Sequence, residues 1–138
     1  MKIFKYYSGD ITKLALAISR VDLKKPDSQD VHVFFGAHDF NFQSSQLNSQ
    51  VMVMGYRGCD NRLASELIHR YKYNVYNPCH DFIINHNHKS NFRPSVSYHN
   101  DGTQQIETVH QRVFGPFEFV YPCWIKDIPD LDYSHFVK

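Results

Sequence analysis

One segment restricts the folds open to this chain more than any other. It is GCDNRLASELIHRY, residues 58–71, set between the apolar runs VMVMGY (51–56) and KYNVYNP (72–78). Leu63, Leu67 and Ile68 recur at helical spacing, so residues 60–71 are predicted to form an amphipathic helix, with Asp60 at its start as the capping carboxylate. The flanking runs are too short for helices and read as strands, the second closed by Pro78. Strand, helix and strand in succession point to an α/β arrangement.

The rest of the chain fills in around that unit. Residues 8–22, SGDITKLALAISRVD, place Ile11, Leu14, Ala15 and Ile18 at helical spacing behind Ser8 or Asp10, and predict a helix ending near Arg20. A polar connection centred on Pro26 leads to VHVFFG (31–36), a buried strand stopped by Gly36, with Asp30 at its entrance. Residues 38–50 have no period and read as an irregular loop. DFII (81–84) predicts a further strand. Residues 95–109 predict a hairpin, because Asn100-Asp101-Gly102 supplies the turn residues that tolerate positive φ. The aromatic tail from 114 onward holds three prolines and reads as a segment draped over the domain. The expected fold is α/β, with α+β as the alternative. It is a single domain over residues 1–138, with a small mixed sheet, two main helices and a C-terminal β-hairpin.

Composition narrows the partners. Fifteen Lys and Arg against fourteen Asp and Glu leave a formal charge of +1, which gives no field to draw in a polyanion, so nucleic acid is unsupported. Nine tyrosines and eleven phenylalanines supply rings enough for a core. Cys59, Cys79 and Cys123 are odd in number and widely spaced, which fits neither a disulfide framework nor a Cys-x-x-Cys zinc pair and favours a reducing compartment. The opening MKIFKYYSGD has no apolar signal core, and no run approaches a membrane span. A cytoplasmic protein is expected.

Three constellations could carry chemistry. Asp60, at the positive end of a helix, is held ionised and reads either as a simple cap or as a general base. His86 and His88 share a face if the strand continues, so they read either as strand-end histidines or as ligands of one metal ion, with Cys79 or a carboxylate assisting. Asp30 suits a sugar hydroxyl or a metal, and Arg20, Arg62 and Arg93 suit phosphate or carboxylate. The lone histidines His32, His38, His69, His99, His110 and His135 read as surface residues.

Taken in order, LAISRVDLKKPDSQDVHVFF and GCDNRLASELIHRYKYNVYNPCHDFIINHNHKSNFR resemble a block found in bacterial and viral GT-A-type glycosyltransferase-like proteins. The resemblance spans residues 14–93, with a gap in the loop, and rests on Ser-Gln-Asp-Val, Gly-Cys-Asp-Asn-Arg, Asn-Pro and His-x-His in sequence. It implies the acceptor-side half of such a domain. Asp60 is then the catalytic base, Asp30, Asn61, Arg62 and Arg93 contact substrate, and His86 or His88 helps bind Mn or Mg. The partners implied are a nucleotide sugar and a glycan or small-molecule acceptor. The family's nucleotide-binding region, ending in Asp-x-Asp, has no counterpart in these residues, and His32 stands where Trp is usual. A partner chain or homo-oligomer supplying that half, or a domain that binds without catalysing, are both compatible with the resemblance.

Two other readings stand beside it. An adaptor or inhibitor, of viral type, would use an aromatic-rich and nearly neutral surface. A metal-dependent hydrolase or nuclease would be built on the histidine-rich segment, although the low net charge disfavours phosphate contacts.

Overall fold

The computed structural model describes residues 1–20, 24–26, 28–36, 58–85, 96–98, 104–106 and 115–137, the segments 96–98 and 104–106 by their backbone alone. At its centre is strand β1, Leu14–Ile18, in which all five residues are buried. Strand β2, Val31–Phe34, lies antiparallel on one side and pairs Ala15 with Phe34 and Ile18 with Val31. Strand β3, Asn74–Tyr76, lies parallel on the other and pairs Leu14 with Asn74 and Leu16 with Tyr76. The result is a small mixed sheet in the order β2-β1-β3.

The helix expected over residues 8–22 does not form. Ile11–Lys13 make one 3-10 turn, capped by the Asp10 side chain, which accepts the Thr12 amide at 3.0 Å, and the chain then enters β1. The physical reason lies in burial. An unbroken apolar run satisfies helical spacing as readily as any other, and only its surroundings decide between the two. Here Leu14, Leu16 and Ile18 pack into one layer while Ala15 and Ala17 pack into the other, so a strand covered on both faces buries every side chain.

Helix α1, Lys2–Lys5, and the 3-10 turns Ile125–Asp127 and Tyr133–Phe136 cover the Leu14 side. Ile3, Ile125 and Ile128 are buried there beside Phe4, Leu131 and Phe136. A bridge between Tyr7 and Leu131, and a stack of the Tyr6 ring on His135 at 3.7 Å, join the early and late segments.

Helix α2, Cys59–Ser65, continued by a π-helical turn over Glu66–Arg70, covers the alanine side. This is the helix expected over 60–71, and it is the one main helix among the described residues, where two were expected. Ala15 packs with Leu63 and Leu67, and Ala17 with Ala64 and Val120. Small side chains on both surfaces bring the helix close to the sheet. Asn61 at the start of α2 bonds Glu118, two residues from the Val120 that meets the ends of β1 and β3, while Leu67 O accepts the Tyr73 amide just before β3, so α2 runs antiparallel to β1. Gly58 precedes α2 at φ 82°, a left-handed conformation that favours glycine, and no side chain caps the helix. Asp60 therefore falls within the first turn, and the capping role expected of it does not hold.

The strand expected over residues 81–84 does not form. After β3, the Asp81 amide donates to Pro78 O at 3.2 Å and the chain turns away. Phe82 and Ile84 then lean on the Leu14 side while Ile83 is exposed, which reproduces strand alternation without a paired neighbour. Strands β4, Val96–Tyr98, and β5, Gln104–Ile106, pair antiparallel, with Val96 opposite Ile106, as the hairpin predicted for 95–109 requires. The strand expected at 51–56 and the loop expected at 38–50 lie outside the described residues. Residues 115–137 drape over the sheet as expected, held where Val120 N donates to Pro26 O at 2.9 Å and Pro122 bridges Asn77. No helix among the described residues is long and apolar enough to cross a membrane.

Candidate functional site

The carboxyl ends of β1 and β3 point the same way, and open α/β sheets bind their ligands at that end. Because β2 is antiparallel to β1, its entrance lies there too. The Asp30 amide donates to Ile18 O at 2.9 Å, which fixes the exposed Asp30 beside the last residue of β1. Because α2 is antiparallel to β1, its first turn, with the half-buried Asp60, also lies at this end. The Cys59 thiol donates to Asp60 Oδ1 at 3.5 Å. Two carboxylates read from the sequence as site residues thus stand at one end of one sheet.

Asn61 and Arg62 follow Asp60 but turn inward. Asn61 Nδ2 donates to Glu118 O at 3.0 Å, and Arg62 Nη1 donates to Pro116 O at 3.2 Å. Arg62 Nη2 donates to Glu66 Oε1 at 2.5 Å, an ion pair 2% and 5% exposed at its two ends. These contacts clip the C-terminal segment onto α2. Glu118 closes the clip from its other side by bonding the exposed His69 ring.

Beneath the site lies Asn77, which sequence reasoning noticed only as the end of a strand. It is wholly buried and uses both ends of its amide. Oδ1 accepts the Ser19 amide at 3.0 Å, and Nδ2 donates to Ser19 Oγ at 2.9 Å and to Val120 O at 3.0 Å. Ser19 Oγ in turn donates to Lys25 O at 3.0 Å. Asn77 therefore ties the end of β1, the end of β3 and the C-terminal segment into one floor. The only sequence signal was an Asn directly before a Pro, which is also what an ordinary strand end looks like.

His32, read as a surface histidine, is shielded on β2. Burial lowers its pKa to about 4 against the opposing pull of Asp30, and Nε2 has no hydrogen-bond partner among the described residues. A run of exposed rings borders the same end of the sheet. Phe119 is 51% exposed, Tyr121 70% and Trp124 47%, with the His80 ring 4.9 Å from Trp124.

His86, His88 and Arg93 lie outside the described residues. Among the described residues no group of three His, Cys, Asp or Glu side chains is arranged to hold a metal ion. No protein-family model, curated protein or solved structure matches the chain.

Proposed function

We propose that this chain is the acceptor-side half of a GT-A-like glycosyltransferase domain, taking a sugar from a nucleotide sugar to a hydroxyl acceptor. The observation that supports it is the convergence of Asp30 and Asp60 on the carboxyl end of β1 and β3, over a floor held rigid by Asn77. These are the carboxylates that the resemblance assigns to substrate and to base.

In this reading Asp60 accepts the proton of the acceptor hydroxyl as that oxygen attacks the anomeric carbon. The first turn of α2 favours its ionised form at rest. Asp30, exposed and fixed by its backbone, accepts a hydrogen bond from a sugar hydroxyl. A divalent ion held by His86 or His88 would supply the positive charge that neutralises the departing diphosphate. Asn61 and Arg62 act through the C-terminal segment, which they hold against α2, so they position the wall of the site.

The test is calorimetry of the full chain with manganese and a panel of nucleoside diphosphates, followed by a donor-consumption assay with the matching nucleotide sugars. The expected result is heat that requires both manganese and the diphosphate and is lost in His86→Ala/His88→Ala. Asp60→Asn should retain that heat while donor consumption falls by a factor of about 100 or more. Absence of both heat and turnover overturns the reading for this chain. The exposed rings Phe119, Tyr121 and Trp124 favour a second reading, a non-catalytic binding protein. It predicts that His86→Ala/His88→Ala leaves partner binding unchanged while Tyr121→Ala weakens it.

A further inference from the structure

Cys79 and Cys123 are 44 positions apart in the chain, yet both amides converge on one atom. Cys79 N and Cys123 N each donate to Asn77 O at 2.8 Å, so the two nitrogens lie within twice that distance of each other. Cys123 O accepts the His80 amide at 3.4 Å, and Pro122 bridges Asn77 in parallel register. The backbone of Cys123 thus runs alongside residues 77–80, with Cys79 between its two points of attachment. A disulfide requires Cα atoms within about 7 Å, and the shared acceptor sets the two residues on adjacent backbone segments where that spacing is attainable.

Cys79 is wholly buried among Leu14, Leu16 and Ile125, and the Tyr76 ring packs into that layer. After burial, the Cys79 thiol is one of several lesser influences raising the Cys123 pKa, and the Cys123 thiol one of several raising that of Tyr76. Both thiols are free, and Cys123 is the more accessible of the two. Cys59, the third cysteine, opens α2 on the opposite face of the sheet.

We infer that Cys79 and Cys123 form a redox pair, closing to an intramolecular disulfide when the chain meets a small-molecule disulfide such as oxidised glutathione. Cys123, as thiolate, attacks one glutathione sulfur. The glutathione S–S bond breaks, one glutathione thiolate leaves, and a mixed disulfide forms. The Cys79 thiol then attacks Cys123 Sγ and passes its proton to the departing glutathione sulfur, which leaves as the second glutathione thiol. Two protein thiols are oxidised and one glutathione disulfide is reduced to two thiols. The new bond would fasten the C-terminal segment to the end of β3, at the floor that Asn77 holds.

Burial raises the Cys79 thiol pKa and pushes that of Cys123 up to about 11, so both thiols stay protonated at neutral pH and closure quickens as pH rises.

The experiment incubates the full chain with oxidised glutathione, traps remaining thiols by alkylation, and maps peptides by mass spectrometry without reduction. A peptide pair joining Cys79 to Cys123 is expected as the main product, two hydrogens lighter than the reduced pair, with Cys59 alkylated. Cys59→Ser should leave that product intact, and Cys123→Ser should leave no intramolecular link. Accumulation of Cys123 capped by glutathione without passage to the linked product would overturn the inference. So would links involving Cys59 at equal yield. The wild-type map alone decides the matter if either variant fails to fold.

Discussion

Asn77 Oδ1 accepts the Ser19 amide at 3.0 Å while Asn77 Nδ2 donates to Ser19 Oγ at 2.9 Å, a two-way bond between the ends of two parallel strands. Past these residues the ladder between β1 and β3 has ended, and a side chain takes over the work of backbone pairing. The same Nδ2 reaches Val120 O, so a single amide satisfies the Ser19 amide and the Val120 carbonyl on two other segments.

Replacing Asn77 should therefore cost more than one hydrogen bond. Asn77→Ala leaves a buried amide and a buried carbonyl unsatisfied, and the expected loss is about 3 kcal/mol in urea unfolding. Asn77→Asp keeps the shape and the acceptor for Ser19 N but turns a carboxylate oxygen toward Val120 O, so it should be at least as harmful. A loss below about 1 kcal/mol for Asn77→Ala would mean that water replaces the amide and that the floor is not closed.

The buried pair on α2 gives a prediction with two arms. Arg62 and Glu66 are both shielded from water, and Arg70 Nη1 approaches Glu66 Oε2 only at 3.7 Å, too far to take over the bond that Arg62 makes. Arg62→Met should destabilise the chain by about 3 kcal/mol, because the carboxylate stays buried without its main counter-charge. The double variant Arg62→Met/Glu66→Leu should recover most of that loss, since removing both charges also removes their desolvation cost. Equal instability of the single and double variants would point instead to the Arg62 bond with Pro116 O as the important contact.

What the sequence made legible follows from where periodicity is unambiguous. Leu63 and Leu67 sit on one face of a segment bounded by a glycine, and the helix is found there. Val31 to Phe34 and Asn74 to Tyr76 are short, β-prone and punctuated, and they are strands. Residues 14–18 misled because a central strand buried on both faces loses the alternation that identifies strands. Residues 82–84 misled in the opposite way, since alternation recorded burial and nothing about pairing. The positions of Asp30 and Asp60 at the starts of β2 and α2 were legible because acidic residues at element starts are visible in one dimension. The roles of Asn61, Arg62 and Asn77 depend on the C-terminal segment folding back beside them, some 40 to 60 positions away in the chain, and no local pattern encodes that return.

His32 ties stability to pH, and the sign can be worked out from its surroundings. Its folded pKa is lowered from 6.5 to about 4, chiefly by burial, with Asp30 pulling the other way. Between those two values the unfolded chain binds a proton that the folded chain refuses, so acidification favours unfolding. Stability at pH 7 should fall as pH drops from 6.5 toward 4 and level off below, with a loss of up to about 3 kcal/mol attributable to this residue. His32→Gln removes the titration and should flatten that part of the profile in urea midpoints measured at closely spaced pH. Asp30→Asn should carry the loss to lower pH, because the carboxylate is what supports the protonated ring. A wild-type profile that His32→Gln leaves unchanged between pH 6.5 and 4 would show that the ring charges freely in the folded chain.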